Sequence, residues 1–198
     1  LDRATREVVE EQVRLGIDVP TDGEIRRENY IHYHCRQIEG IDFNHLTEKA
    51  MRNGQWVVSV PTITGPVKAK EEQGFLVRDW QVAQAATDRP IKITLPGPMT
   101  MVDTLYDDYY RSREKLAWEF AKVLNDEARE LESAGVDVIQ FDEPAFNVFF
   151  DEVRDWGIKA LERAAKGLAC KTAVHICYGY GIKANTDWKK TLGSEWRQ

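Results

Sequence analysis

Residues 111–144 read RSREKLAWEFAKVLNDEARELESAGVDVIQFDEP, and this stretch decides the fold class. Leu116, Phe120, Val123, Leu124, Ala128 and Leu131 recur at spacings of three and four, so they share one face of a helix over roughly 111–134. Gly135 stands where such a helix ends, in the left-handed conformation that glycine adopts at little cost. Val136, Val138, Ile139 and Phe141 follow at once, an apolar β-branched run suited to a buried strand, which stops at Asp142-Glu143-Pro144. A long amphipathic helix feeding directly into a buried strand is the repeating unit of a parallel α/β sheet.

Similar units flank it. Downstream, a helix over 151–167 precedes a strand from Lys171 to Ile176. Upstream, a helix over 75–86 leads to the strand Ile91–Leu95, which ends at Pro96-Gly97-Pro98. Trp56 to Ile63, with Val57, Val58 and Val60, reads as another strand, and the Arg-, Glu- and aromatic-rich residues 26–39 read as a helix. At the start, a polar helix over 2–15 closes at Gly16, and the apolar stretch Ile17 to Val19 runs into Pro20-Thr21-Asp22-Gly23-Glu24. Strands near residues 18, 60, 93, 138 and 173, with helices between several of them, predict a largely parallel sheet. Polar residues just past the strand ends point to a (β/α)8, TIM-type barrel. Such a barrel takes ~250 residues, whereas this chain has 198 and shows about five strands. The expectation is a single domain over 1–198, a partial barrel lacking its first strand and its last two or three. A complete, smaller doubly wound sheet is the alternative.

Composition narrows the function classes. With 42% hydrophobic and 30% charged residues, the chain is of ordinary globular type. Its net charge of -6 and its lack of a Lys/Arg cluster with interleaved aromatics argue against nucleic acid as a partner. Apolar runs fall far short of the ~20 residues of a membrane span, and no signal-peptide pattern opens the chain. A cytoplasmic location is the default expectation. Three cysteines, Cys35, Cys170 and Cys177, make a poor disulfide framework and suggest free thiols or metal ligands.

Four residues stand out for chemistry. In Val174-His175-Ile176-Cys177 an imidazole and a thiol are two positions apart, so in a strand they project to the same side. Both are ligand types that zinc takes, at ~2.0–2.3 Å; the alternative is a core cysteine beside a strand-end histidine. Asp142, next to Glu143, follows a buried strand, where a carboxylate can hold an ammonium group or carry a proton. Equally, it can cap a helix or pair with an arginine. Glu24 has the same placement after an earlier strand and has Arg26 and Arg27 as nearby partners. His32, His34 and Cys35 form a cluster in sequence, but helical neighbours two apart face opposite ways, so these read as incidental histidines on a surface helix. No phosphate-binding glycine loop, nucleophile elbow or Cys-x-x-Cys pair occurs.

Taken in order, Asp22-Gly23-Glu24, Leu95-Pro96-Gly97-Pro98-Met99-Thr100, Ile139-Gln140-Phe141-Asp142-Glu143-Pro144-Ala145 and His175-Ile176-Cys177-Tyr178 resemble the C-terminal catalytic barrel of cobalamin-independent methionine synthase. The resemblance covers nearly the whole chain. It implies a zinc-dependent methyltransferase in which His175 and Cys177 are zinc ligands. It further implies that Glu24 and Asp142 hold the amino-acid part of homocysteine, with Asp142 on its ammonium group. In the family, zinc keeps the homocysteine thiol deprotonated and nucleophilic toward the donor's methyl group. The family completes its zinc site with a glutamate and a second cysteine further along, and its proton-donor histidine also lies there; no counterpart of these occurs in this sequence.

Two positions depart from the folate-using enzymes. Thr104 stands where they carry a tryptophan, and Val148 where they carry an acid, which removes a stacking surface and a carboxylate for a pterin. The expected donor is therefore another methyl carrier, such as a methylcorrinoid. Two other readings compete with this one. One is a metal-free barrel enzyme of the uroporphyrinogen decarboxylase type, with no use for the His-x-Cys pair. The other is a non-catalytic truncated barrel whose open sheet edges would permit self-association.

Overall fold

The computed structural model describes residues 1–51, 56–70 and 74–177, together with 187, 190 and 191. Two sheets and a set of helices make a mixed α/β fold. In chain order the elements are α1 (Asp2–Arg14), α2 (His32–Cys35), β1 (Ile38–Met51), β2 (Trp56–Ala69), α3 (Phe75–Gln84), β3 (Lys92–Pro96), α4 (Pro98–Thr104), β4 (Tyr106–Asp107), α5 (Arg113–Ala134) and β5 (Val138–Asp142). A 3-10 turn (Pro144–Asn147), α6 (Phe150–Glu152), a π turn (Val153–Gly157), α7 (Ile158–Ala164) and β6 (Lys171–His175) complete them.

The unit read first in the sequence forms as expected. Ser112 starts α5 by accepting the Lys115 N–H, and Gly135 ends it at φ 109°. Strands β3, β5 and β6 pair in parallel in that order, with Pro96 beside Asp142 and Asp142 beside His175. A single parallel bridge from Thr21 to Lys92 extends this arc at the β3 edge. Alternation gives the sheet two unlike faces. Ile93, Leu95, Ile139 and Phe141 are buried in one hydrophobic cluster with Leu116, Phe120, Leu124, Ala128 and Leu131 of α5. The opposite face carries Lys92, Thr94, Gln140 and Asp142, which bond to one another or to neighbouring polar groups.

Two expectations need correction. The strand at 56–63 does not belong to the parallel sheet. It lies in β2, which pairs antiparallel with β1 in a long hairpin, and β4 joins β2 to make a second three-stranded sheet. Residues 26–39 are not a continuous helix; only His32–Cys35 is helical, and β1 starts at Ile38. The Asn29 side chain accepts the N–H groups of Ile31 and His32, each at 2.9 Å, so the helical turn starts only there. Gly40, at φ 84°, then brings β1 against Pro66, where a Cβ would overlap the Pro66 carbonyl. The helix expected over 151–167 does form, as one uninterrupted helical run from Phe150 to Ala164 with the π turn between α6 and α7.

Candidate functional site

The site is built at the C-terminal ends of the parallel strands. The chain leaves its bridge at Thr21 and turns sharply. Thr21 Oγ1 accepts the Gly23 N–H, and Asp22 Oδ1 accepts the Glu24 N–H, both at 3.2 Å. Gly23 and Glu24 both take positive φ, 69° and 53°. For glutamate this left-handed conformation is uncommon and costs energy, so the surrounding contacts must hold it. They do. Glu24 Oε1 accepts from Thr94 Oγ1 at 2.7 Å and from Arg27 at 3.2 Å. Arg27 is itself 1% exposed, bonds the Thr94 carbonyl at 3.0 Å, and lies 3.7 Å from the buried Asp22 carboxylate. Burial pushes the Asp22 carboxyl above its ordinary range, with Arg27 opposing the shift.

At the end of β5, adjacent carboxylates part company. Asp142 turns to the polar face and accepts from Gln140 Nε2 at 2.7 Å. Glu143 turns inward and is fully buried. Its carboxylate accepts the N–H groups of Met99 and Thr100 at 3.0 and 2.9 Å and the Thr100 hydroxyl at 2.7 Å. It thus occupies the N-terminus of α4, where helix N–H groups favour an acceptor. Burial pushes the Glu143 carboxyl up to about 7, and these hydrogen bonds resist the rise. Its backbone N–H donates to the His175 carbonyl at 2.8 Å, which ties β5 to the end of β6.

His175 closes β6, and Cys177 follows two residues later, its carbonyl accepting from Asn147 Nδ2 at 2.5 Å. Glu24, Tyr30, Asp142, Pro144, His175 and Cys177 line one cleft of about 210 Å³. All four residues singled out in the sequence are therefore brought together. Burial also raises the Asp142 carboxyl, against the Gln140 hydrogen bond and the nearby His175.

The cleft thus combines two carboxylates with an imidazole and a thiol. The latter two suit a soft divalent metal, and the carboxylates suit an ammonium group. Among the described residues no group of three or more His, Cys, Asp or Glu side chains is arranged to hold a metal, so the pair supplies at most part of a shell. Tyr178, the last residue of the His-x-Cys-Tyr element, lies outside the described residues.

The profile of the cobalamin-independent synthase catalytic domain matches residues 1–180. The chain belongs to the cobalamin-independent synthase family. Among curated relatives, the methionine synthases of Saccharolobus solfataricus and Sulfurisphaera tokodaii are each 34% identical to it. The alignments cover 87% and 90% of this chain but 50% and 51% of theirs. The chain spans about half the length of the curated relatives it matches. A solved B12-independent methionine synthase from Shewanella sp. W3-18-1, in complex with selenomethionine, is 58% identical at a TM-score of 0.89. That match covers 98% of this chain and 56% of the other. A structure from Listeria monocytogenes at 20% identity and a TM-score of 0.69 shares the fold.

Within this member of the cobalamin-independent synthase family, other sequence candidates fall elsewhere. His34 is in the core rather than on a surface helix: it is 2% exposed, its Nδ1 is 2.8 Å from the Tyr30 carbonyl, and its ring packs edge-on to Phe75. Cys35 is buried and, like Cys170 and Cys177, forms no disulfide. Thr104 bonds back to the Thr100 and Met101 carbonyls of α4. The pairing of Arg27 with Glu24 was an open alternative in the sequence and is found in the structure, whereas Tyr30 and Thr94 were missed. No local pattern marks those two, because Thr94 acts on Glu24 from 70 residues away and Tyr30 joins the cleft only through the fold. No helix among the described residues is long and apolar enough to cross a membrane.

Proposed function

We propose that the whole protein transfers a methyl group to the thiol of homocysteine, giving methionine, and that this segment supplies the acceptor side of the site. The observation that carries the reading is the cleft where Glu24, Asp142, His175 and Cys177 meet. Homocysteine offers a thiol at one end and an ammonium group at the other, and the cleft offers a counterpart to each. The methionine synthases among its relatives support the same reaction. In this reading Asp142 receives the ammonium group, and Glu24, held by Thr94 and Arg27, fixes the amino-acid end beside it. Anchoring that end limits the rotation of the thiol and directs it to His175 and Cys177, so less of the barrier is entropic.

His175 and Cys177 would be two ligands of a zinc ion, with the rest of the shell outside the described residues. Bound zinc would keep the acceptor thiol deprotonated near neutral pH. The parallel arc from Thr21 through β3, β5 and β6 supports a (β/α)8 barrel of which these 198 residues are a part. Thr104 and Val148 offer a pterin neither a stacking ring nor a carboxylate, so the donor in this reading is a methyl carrier other than folate, such as a methylcorrinoid. Turnover with methyltetrahydrofolate as sole donor would end that part of the proposal.

Zinc content of the purified protein tests the site. Near-stoichiometric zinc is expected in the wild type, with most of it lost in His175→Ala and in Cys177→Ser. Zinc retained in both variants would remove these residues from the ligand set.

A further inference from the structure

The Asp142 carboxylate is gripped from beneath by a chain of two side chains on the polar face of the sheet. Lys92 Nζ donates to Gln140 Oε1 at 2.6 Å, and Gln140 Nε2 donates to Asp142 Oδ1 at 2.7 Å. Gln140 and Asp142 are two apart in β5, so they share a face, and Lys92 sits on the neighbouring strand β3 opposite Val138. The two ends of a glutamine amide are alike in shape, and its orientation has to follow from its partners. Here only one orientation works. An ammonium group can only donate and a carboxylate can only accept, so the carbonyl must face Lys92 and the NH2 group must face Asp142. The amide dipole is thereby aligned from cation to anion, and both bonds are charge-assisted.

The intervening amide has a further consequence. Were Lys92 to contact Asp142 directly, the carboxylate would already hold an ammonium group and would have little left for another. A neutral amide holds one oxygen of the carboxylate without placing a cation in direct contact with it.

We propose that Gln140, oriented by Lys92, is a positioning residue that sets Asp142 to receive the ammonium group of an α-amino-acid ligand, so that the site selects amino-acid thiols and thioethers over those lacking an amino group. The inference rests on the reading that Asp142 faces that ammonium group.

Two ligands isolate the effect. Methionine and 4-(methylthio)butanoate share thioether and carboxylate and differ only in the amino group. Calorimetric titration of the intact protein with each gives a preference ratio. The wild type is expected to favour methionine. Gln140→Leu should cut that preference about tenfold, the equivalent of one charge-assisted hydrogen bond, with 4-(methylthio)butanoate binding unchanged within about twofold. Gln140→Glu keeps the shape but replaces the donor with an acceptor, and should lose at least as much. Lys92→Met, which frees the amide to turn, should lose about threefold, a smaller share of the same bond. A merely structural role would weaken both ligands together and leave the ratio unmoved. Wild-type preference in Gln140→Glu and Lys92→Met would overturn the proposal and leave Asp142 as the ammonium site. Equal binding of both ligands by the wild type would overturn the reading of Asp142 itself, and the inference with it.

Discussion

Replacing Gly97 with alanine should cost far more than its backbone conformation implies. Gly97 sits at φ -80° and ψ 157°, a region open to every residue. On conformational grounds alone the change would stabilise the chain by ~0.4–1 kcal/mol. The obstacle is Glu143, whose Cγ, Cδ and Oε1 occupy the space a Cβ would need. Glu143 has no room to retreat, being fully buried, bonded to Met99 and Thr100 through its carboxylate and to the His175 carbonyl through its backbone. Overpacking costs ~1–3 kcal/mol, and pulling the carboxylate off two or three donors adds ~1 kcal/mol each. The sum is about 3–6 kcal/mol, which at ~2–4 °C per kcal/mol lowers Tm by roughly 10 °C or more. A double-mutant cycle read by urea denaturation separates the clash from the lost bonds. Glu143→Ala alone should cost ~3 kcal/mol for the orphaned N–H groups. The double variant should cost about the same, because the obstacle has gone. If Gly97→Ala costs less than about 0.5 kcal/mol, or the two effects simply add, the packing argument is wrong.

Two pH effects follow from buried groups. Burial, with the Arg27 charge behind it, holds the His34 imidazole well below its usual range. The folded protein therefore keeps His34 neutral while the unfolded chain protonates below ~6.5. This contribution to stability is complete above that pH and is lost as pH falls, at ~1.4 kcal/mol per unit. His34→Phe should flatten the fall in urea stability between pH 7 and 5; an unchanged slope would exclude His34 as its source. Lys49 donates to the carbonyls of Val102, Asp103 and Leu105 at 3.0, 2.7 and 2.7 Å, fastening the hairpin to the C-terminal end of α4. Burial pulls its ammonium group down to about 8. Its contribution is thus fully present above the ordinary lysine range and is lost as pH falls through about 8. Relative to Lys49→Met, the wild type should gain ~2 kcal/mol between pH 8 and 9.5. A constant difference across that range would mean that Lys49 is not strained by burial.

Much of the fold was legible because its signals are local. The face of α5, the Gly135 stop and the apolar run of β5 are periodicities that no distant residue has to supply. The hairpin was not legible for the opposite reason. β1 alternates poorly, with Asn44, His45 and Leu46 exposed together, and its register with β2 slips between Asp42 and Leu46. The hairpin's one local signal is Asn53-Gly54 between the two runs, a dipeptide that favours a tight hairpin turn. Reading 26–39 as a helix failed because the Asn29 side chain competes for the backbone N–H groups that such a helix would need.

The sequence by itself determined that strand ends would carry Asp142 and the His175–Cys177 pair, since strand alternation and punctuation by glycine and proline are properties of consecutive residues; the strand expected before Glu24 is reduced in the structure to the single bridge at Thr21. It also required Asp142 and Glu143, as neighbours in a strand, to face opposite ways. Which of the two would meet a cleft and which a helix terminus was decided only in the tertiary structure. There α4 places its N–H groups over Glu143, while Gln140, itself held by Lys92 on the neighbouring strand, turns its NH2 toward Asp142. A carboxylate's task depends on the groups that surround it, and in a parallel sheet those groups arrive from strands and helices far away in the chain.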